Sequence, residues 1–173
     1  MRKHILAAGL LAGSVVLTLH AQPGPTDPQI AHIVVTANQV DIDAGKLAQR
    51  KSPSKDVRAF GKQMVTDHTA VNKSATDLVN KLKVKPEANA TSASLRKGGD
   101  ENLENLKKLK GKTFDQAYVE HEVAYHQAVI DAVDKTLLPS AKNDELKALL
   151  VKVRPALVQH LEHAQHLQAQ RKQ

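Results

Sequence analysis

Residues 57–82 read VRAFGKQMVTDHTAVNKSATDLVNKL. The large apolar residues fall at Val57, Phe60, Met64, Val71, Leu78 and Leu82, with Ala75 between. Steps of three and four mark one face of a helix packed into a core. His68 fills the step from Met64 to Val71. An imidazole is therefore expected midway along a buried stripe, and the fold turns on what packs against it.

Working outward, Asp27-Pro28 opens a first helix, cap residue first and proline in the first turn. Ile30, Val34, Ala37, Asp41, Ala44 and Ala48 line its face, widened by Ile33, Val40 and Leu47. It is expected over about residues 27–51, where Ser52-Pro53 breaks it. The second helix then runs over about 54–83. Pro86 to Gly99, rich in Ala, Ser, Thr, Asn and Gly, reads as irregular. A short amphipathic helix over about 100–110 follows, through Leu103, Leu106 and Leu109, and Gly111 ends it. Thr113 with Gln116 forms a capping box for a third long helix, about 113–137. Pro139 stops that helix, and Asn143 caps a fourth over about 143–169, with Pro155 expected to kink it or open one turn.

The expected fold is all-α: a ferritin-like four-helix bundle of two antiparallel hairpins, with the short extra helix in the long link between them. A simple up-down bundle is the alternative. The two hairpins look alike, each with a Pro-Ser break, a lysine, acidic residues and an apolar-basic-Ala-apolar run ahead of a histidine.

Residues 1–21 stand apart. Arg2, Lys3 and His4 precede the almost wholly apolar Ile5 to Leu19, and Leu19-His20-Ala21 ends in a small residue. That is the pattern of an export signal, too short for a membrane span. A periplasmic or extracellular protein is expected, one domain over residues 22–173 without a transmembrane span. With no cysteine there is no disulfide, thiolate site or lipid-anchor cysteine. Without Arg2 and Lys3 the chain keeps 23 basic and 18 acidic residues, +5, gathered in Lys81 to Lys85 and Lys107 to Lys112. Two Phe and two Tyr are too few to stack on bases, so nucleic acid is not expected. A solvated basic face that touches anionic envelope surfaces is.

Each long helix carries one ionisable group on its apolar seam. Asp41 lies near the middle of the first face, and His160 falls within the fourth helix's arc of Leu146, Leu150, Val153, Leu157 and Leu161. His163 lies at that arc's edge. The third helix offers two stripes, Val119-Val123-His126-Ile130-Val133-Leu137 and Phe114-Tyr118-His121-Tyr125-Ala128-Ala132. The first is the more aliphatic, which favours His126, with Glu122 one turn before it. Asp41, His68, His126 and His160 all lie near mid-helix and are expected to meet. Buried charges cost several kcal/mol unless paired, so a metal or a closed hydrogen-bond network should hold them. Three imidazoles and a carboxylate suit zinc, iron, manganese or copper; Glu122 and His163 are secondary candidates. Met64 is read as core.

DIDAGKLA (41–48), MVTDH ending at His68, FDQAY (114–118) with His126 after it, and RPALVQHL (154–161) resemble the bacterial domain-of-unknown-function family 4142. The resemblance covers nearly all of residues 22–173. It implies export, a ferritin-like bundle and a protein often labelled an outer-membrane protein. It also implies an acidic residue at Asp41, usually Glu there, and histidines at 68, 126 and 160. Di-iron ferritin-like enzymes carry Glu-x-x-His motifs. Here Val65, Val123 and Leu157 stand three residues before the three histidines, so a dinuclear oxidase is not expected. A core metal protein acting in storage, buffering or stress protection is the first reading, and a metal-free envelope module the second. A redox-metal enzyme has little support, since no nucleophile-base pair, phosphate loop or haem motif is present.

Overall fold

The computed structural model describes residues 24–171, so the expected signal at 1–21 lies outside the described residues. The described residues form an all-α bundle of five helices: α1 Asp27–Lys51, α2 Lys55–Leu82, α3 Ala90–Lys108, α4 Gly111–Ala132 and α5 Asp144–Gln170. After Ala132, α4 continues into a π-helical turn, Val133–Leu137, and a last helical turn, Leu138–Ser140. No helix among the described residues is long and apolar enough to cross a membrane.

The caps explain where the helices start. Thr26, not Asp27, caps α1, and its N–H donates to the Gln29 side chain. Asp27 instead accepts the backbone N–H groups of Lys142 and Asn143 at 2.8 and 2.9 Å, pinning the start of α5 to the start of α1. Asn143 caps α5 by accepting from Glu145 and Leu146. Thr113 does not open α4. It lies in the first turn of a helix that starts two residues earlier, at Gly111, whose φ of +58° suits glycine. α5 runs unbroken through Pro155, and the local departure from α geometry lies in α4 instead.

The larger correction concerns α3, expected as a short helix over about 100–110. It begins at Ala90 because Asn89 and Ser92 cap it reciprocally: Asn89 Oδ1 accepts from Ser92 N–H, and Ser92 Oγ from Asn89 N–H, both at 3.0 Å. Gly99, which made the segment look irregular, is where α3 lies down on α1. A Cβ there would come within 2.7 Å of the Val40 methyls.

α1 and α2 touch more closely still. A Cβ on Gly45 would meet the Gly61 carbonyl oxygen at 2.7 Å, and one on Gly61 the Gly45 oxygen at 2.8 Å. This mutual contact fixes the axial register of the two helices. At one end of the bundle the start of α1 meets the start of α5, and Lys81 pairs with Glu145. At the other, Lys51 reaches the Leu106 carbonyl at the end of α3, and Arg171 reaches Ser54.

Two apolar cores result. The first gathers Ile30, Ile33, Ala75, Ile130, Leu146 and Leu150; the second gathers Ala48, Phe60, Met64, Phe114, Tyr118 and Leu167. On α1, α2 and α4 the change from one core to the other passes through a buried polar residue, Asp41, His68, or Glu122 with His126, and on α5 His160 lies just before Leu161, the last residue of the first core on that helix. α4 buries residues of both expected stripes, Phe114 and Tyr118 from one and Val119, His126, Ile130, Val133 and Leu137 from the other.

Candidate metal centre

Asp41, His68, Glu122, His126 and His160 are each 4 % exposed or less. The three imidazole rings form a near-equilateral triangle with centroids 5.3 to 5.7 Å apart. Each of the three rings has a nitrogen within 4.8 Å of the others. Asp41 Oδ2 lies 2.8 Å from His68 Nε2 and 3.3 Å from His126 Nε2. Glu122 approaches from one turn before His126 and shares a second cluster with Asp41 and His126. His163 does not join them. Its Nδ1 faces Gln63 Oε1 at 3.1 Å and its ring stands edge-on to Phe60, beside the second core. Met64 is buried in that core too.

The hydrogen bonds around the triangle fix which nitrogen of each ring carries the proton. Asn38 Nδ2 donates to the Val34 carbonyl, which turns Asn38 Oδ1 toward His68 Nδ1 at 2.6 Å. An amide oxygen only accepts, so His68 Nδ1 is an N–H, and in the neutral ring Nε2 holds the lone pair. His126 Nδ1 faces the Glu122 backbone carbonyl at 3.0 Å and donates for the same reason, leaving Nε2 as the lone pair. His160 Nε2 faces Asp67 Oδ2 at 2.9 Å, leaving Nδ1. All three rings thus point an N–H outward to an acceptor and a lone pair inward.

Those inward atoms are unpaired. Among the described residues, no hydrogen bond of ordinary geometry reaches either oxygen of Asp41, His68 Nε2, His126 Nε2 or His160 Nδ1. Two imidazole lone pairs beside one carboxylate oxygen repel it unless a cation, a proton or a metal ion, stands among them. Burial opposes ionisation of Asp41, but His68 and His126 outweigh it and bring its carboxyl down to about 2. Glu122 goes the other way: burial and then the charge of Asp41 raise it well above the usual range, so it keeps its proton. Burial lowers His126 to about 4 and also lowers His160, which holds both rings neutral near pH 7. Tyr125 closes the flank, donating to the Ala37 carbonyl at 2.9 Å. Chemically the arrangement is a buried set of three imidazole nitrogens around one anionic oxygen.

Sequence reasoning did not assign Asn38 or Asp67. Asn38 was visible as a polar residue three before Asp41, and Asp67 as the neighbour of His68, but their role depends on which ring each faces. No curated protein and no solved structure matches the chain. A family model described as a domain of unknown function (DUF4142) matches residues 17–167.

Proposed function

The chain belongs to the DUF4142 family, and on that premise we propose that it is a metal-binding bundle of the cell envelope. Its centre holds one transition-metal ion through His68 Nε2, His126 Nε2, His160 Nδ1 and Asp41. The observation that carries this reading is the common orientation of the three rings, each giving its outer N–H to an acceptor and its inner lone pair to the same space. Metal-binding histidines are held in this way, because the outer hydrogen bond fixes the tautomer and makes the free nitrogen a better donor. The donor set suits zinc, iron, manganese or copper, and the ion serves storage, buffering or stress protection.

A ferritin-like arrangement of α1, α2, α4 and α5 goes with this reading. It is supported by two hairpins with short loops and by the 19-residue α3 lying between them in the chain as a link. Glu122 stands four residues before His126 rather than three, so the Glu-x-x-His of dinuclear centres is missing and the reading is of a single ion. Export to the periplasm, with association at the outer membrane, rests on the apolar run at Ile5 to Leu19. The basic runs at Lys81 to Lys85 and Lys107 to Lys112 would face anionic envelope surfaces.

A second reading is favoured by the buried cluster of Glu122, Asp41 and His126, in which burial and the charge of Asp41 push the Glu122 carboxyl up: a proton, not a metal, offsets the carboxylate in a metal-free polar core. Elemental analysis and calorimetry separate the two. About one ion per chain in the wild type and a loss in His68→Ala are expected, and equal content in both would sink the metal reading.

A further inference from the structure

A cavity of about 290 Å³ reaches the three imidazoles from the side of the first core. Its inner end is polar, formed by Asn38, Asp67, His68, His126 and His160. Beyond them the wall is aliphatic, with Val34 and Val71 on one side and Val129, Val133, Leu150 and Val153 on the other. Thr91, Ala128 and Thr136, all exposed, contribute to its rim. Along α5 the wall spans Leu150 to His160, about 15 Å at 1.5 Å per residue.

The helix that forms one wall is built to make this space. α4 leaves α geometry at Val133–Leu137, and Val133, Thr136 and Leu137 of that turn line the cavity. A π turn recurs at functional sites because it displaces side chains that a regular helix would pack inward. Arg154, next to Pro155 in the unbroken α5, grips Asp134 of the same turn with two hydrogen bonds of 2.6 and 2.7 Å. The π turn is thereby tied to the middle of α5.

A space polar at one end and aliphatic along its length suits a ligand with one polar head and one aliphatic tail. At ~30 Å³ per small group, the volume holds about ten non-hydrogen atoms. The head is defined by the floor. Asp41 and Glu122 are not in the cavity wall; only the imidazole side of the centre is. Asp67, the one carboxylate on the wall, is taken by His160 Nε2. A divalent ion on the three nitrogens would thus meet Asp41 on its far side and turn uncompensated positive charge toward the cavity. We propose that this cavity binds a medium-chain aliphatic monocarboxylate, its carboxylate completing the ion's coordination and its tail lying between α4 and α5. The inference rests on the metal reading and adds the ligand that reading lacks.

The test uses the chain loaded with zinc, with the zinc content of the same sample measured first. Octanoate fills the volume, whereas propionate offers the same head with almost no tail. Octanoate is expected to bind one to one and roughly a hundredfold tighter than propionate, since several methylene groups leave water. Ala156→Phe, which fills the wall, should weaken octanoate at least tenfold and leave zinc content and helicity unaltered. Ala128→Leu at the rim is the milder second variant. Equal affinity for the two acids in a zinc-loaded sample overturns the inference and leaves the metal reading standing. Octanoate binding that survives zinc removal, or metal-free protein that prefers octylamine, overturns the carboxylate head. A sample that takes up no zinc overturns both.

Discussion

His126 shows how one residue ties the site to pH. Burial brings its imidazole down to about 4 against the pull of Asp41, while an unfolded histidine titrates near about 6.5. Because the folded value is the lower, the unfolded chain binds the extra proton first. Stability from this group is complete above about pH 6.5 and is lost as pH falls through about 4. His160 shifts in the same direction, and Asp41, held at about 2, adds a further loss below about pH 4. The metal-free protein should lose about 3 kcal/mol between pH 6.5 and 4, from the roughly 2.5-unit shift of His126 at 1.36 kcal/mol per unit. Urea unfolding of wild type and His126→Gln measures it, and the variant should show the shallower slope. An unchanged slope would detach the pH response from this ring. At this scale the seam residues were legible because a charge in an apolar stripe stands out. Asn38 and Asp67 were not, since only packing decides that an amide and a half-exposed carboxylate orient two imidazoles.

Among the elements, the Gly45–Gly61 contact sets where Asp41 and His68 meet. Asp41 lies one turn before Gly45 and His68 about two turns after Gly61, so the backbone contact acts as the ruler between them. Gly45→Ala places a methyl 2.7 Å from a carbonyl oxygen of α2, which cannot move aside as a flexible side chain would. The expected cost is about 1–3 kcal/mol from overpacking, with zinc affinity falling alongside it. Gly98 is the contrast. A Cβ there meets nothing within 4 Å, and Gly98→Ala should stabilise α3 by up to about 1 kcal/mol through helix propensity. Thermal unfolding of both variants checks the pair, and a Gly45→Ala protein as stable as wild type would remove the ruler. The long helices were readable from their stripes and from proline and asparagine boundaries. The first half of α3 was not, because Asn89 and Ser92 cap each other without the usual Glu or Gln, and its glycines serve packing rather than a loop. Nor was the π turn, since Val-Asp-Lys-Thr-Leu carries no signal that separates π from α spacing.

For the molecule as a whole, an ion bound at the centre would be a stability term. Zinc at a hundred times its dissociation constant should add about 2.7 kcal/mol by mass action. For a chain of this size that is a rise in Tm of roughly 5–10 °C. Chelator should reverse the rise, and circular dichroism melts with and without zinc measure it; identical melts would mean that folding and binding are not linked. The all-α class and the antiparallel pairing inside each hairpin followed from periodicity and loop length. The path of α3 along α1 did not, because it depends on a glycine meeting Val40. That path also divides the centre in a particular way. Asp41 and His68 belong to the α1–α2 hairpin, and His126 and His160 to the α4–α5 hairpin. On the proposed metal reading each hairpin is a half-site with two donors, too few to hold an ion alone. A bound metal would be a clasp that closes only when the two halves dock, so its occupancy would report assembly of the molecule, and a chain severed within α3 would bind only by complementation of its fragments.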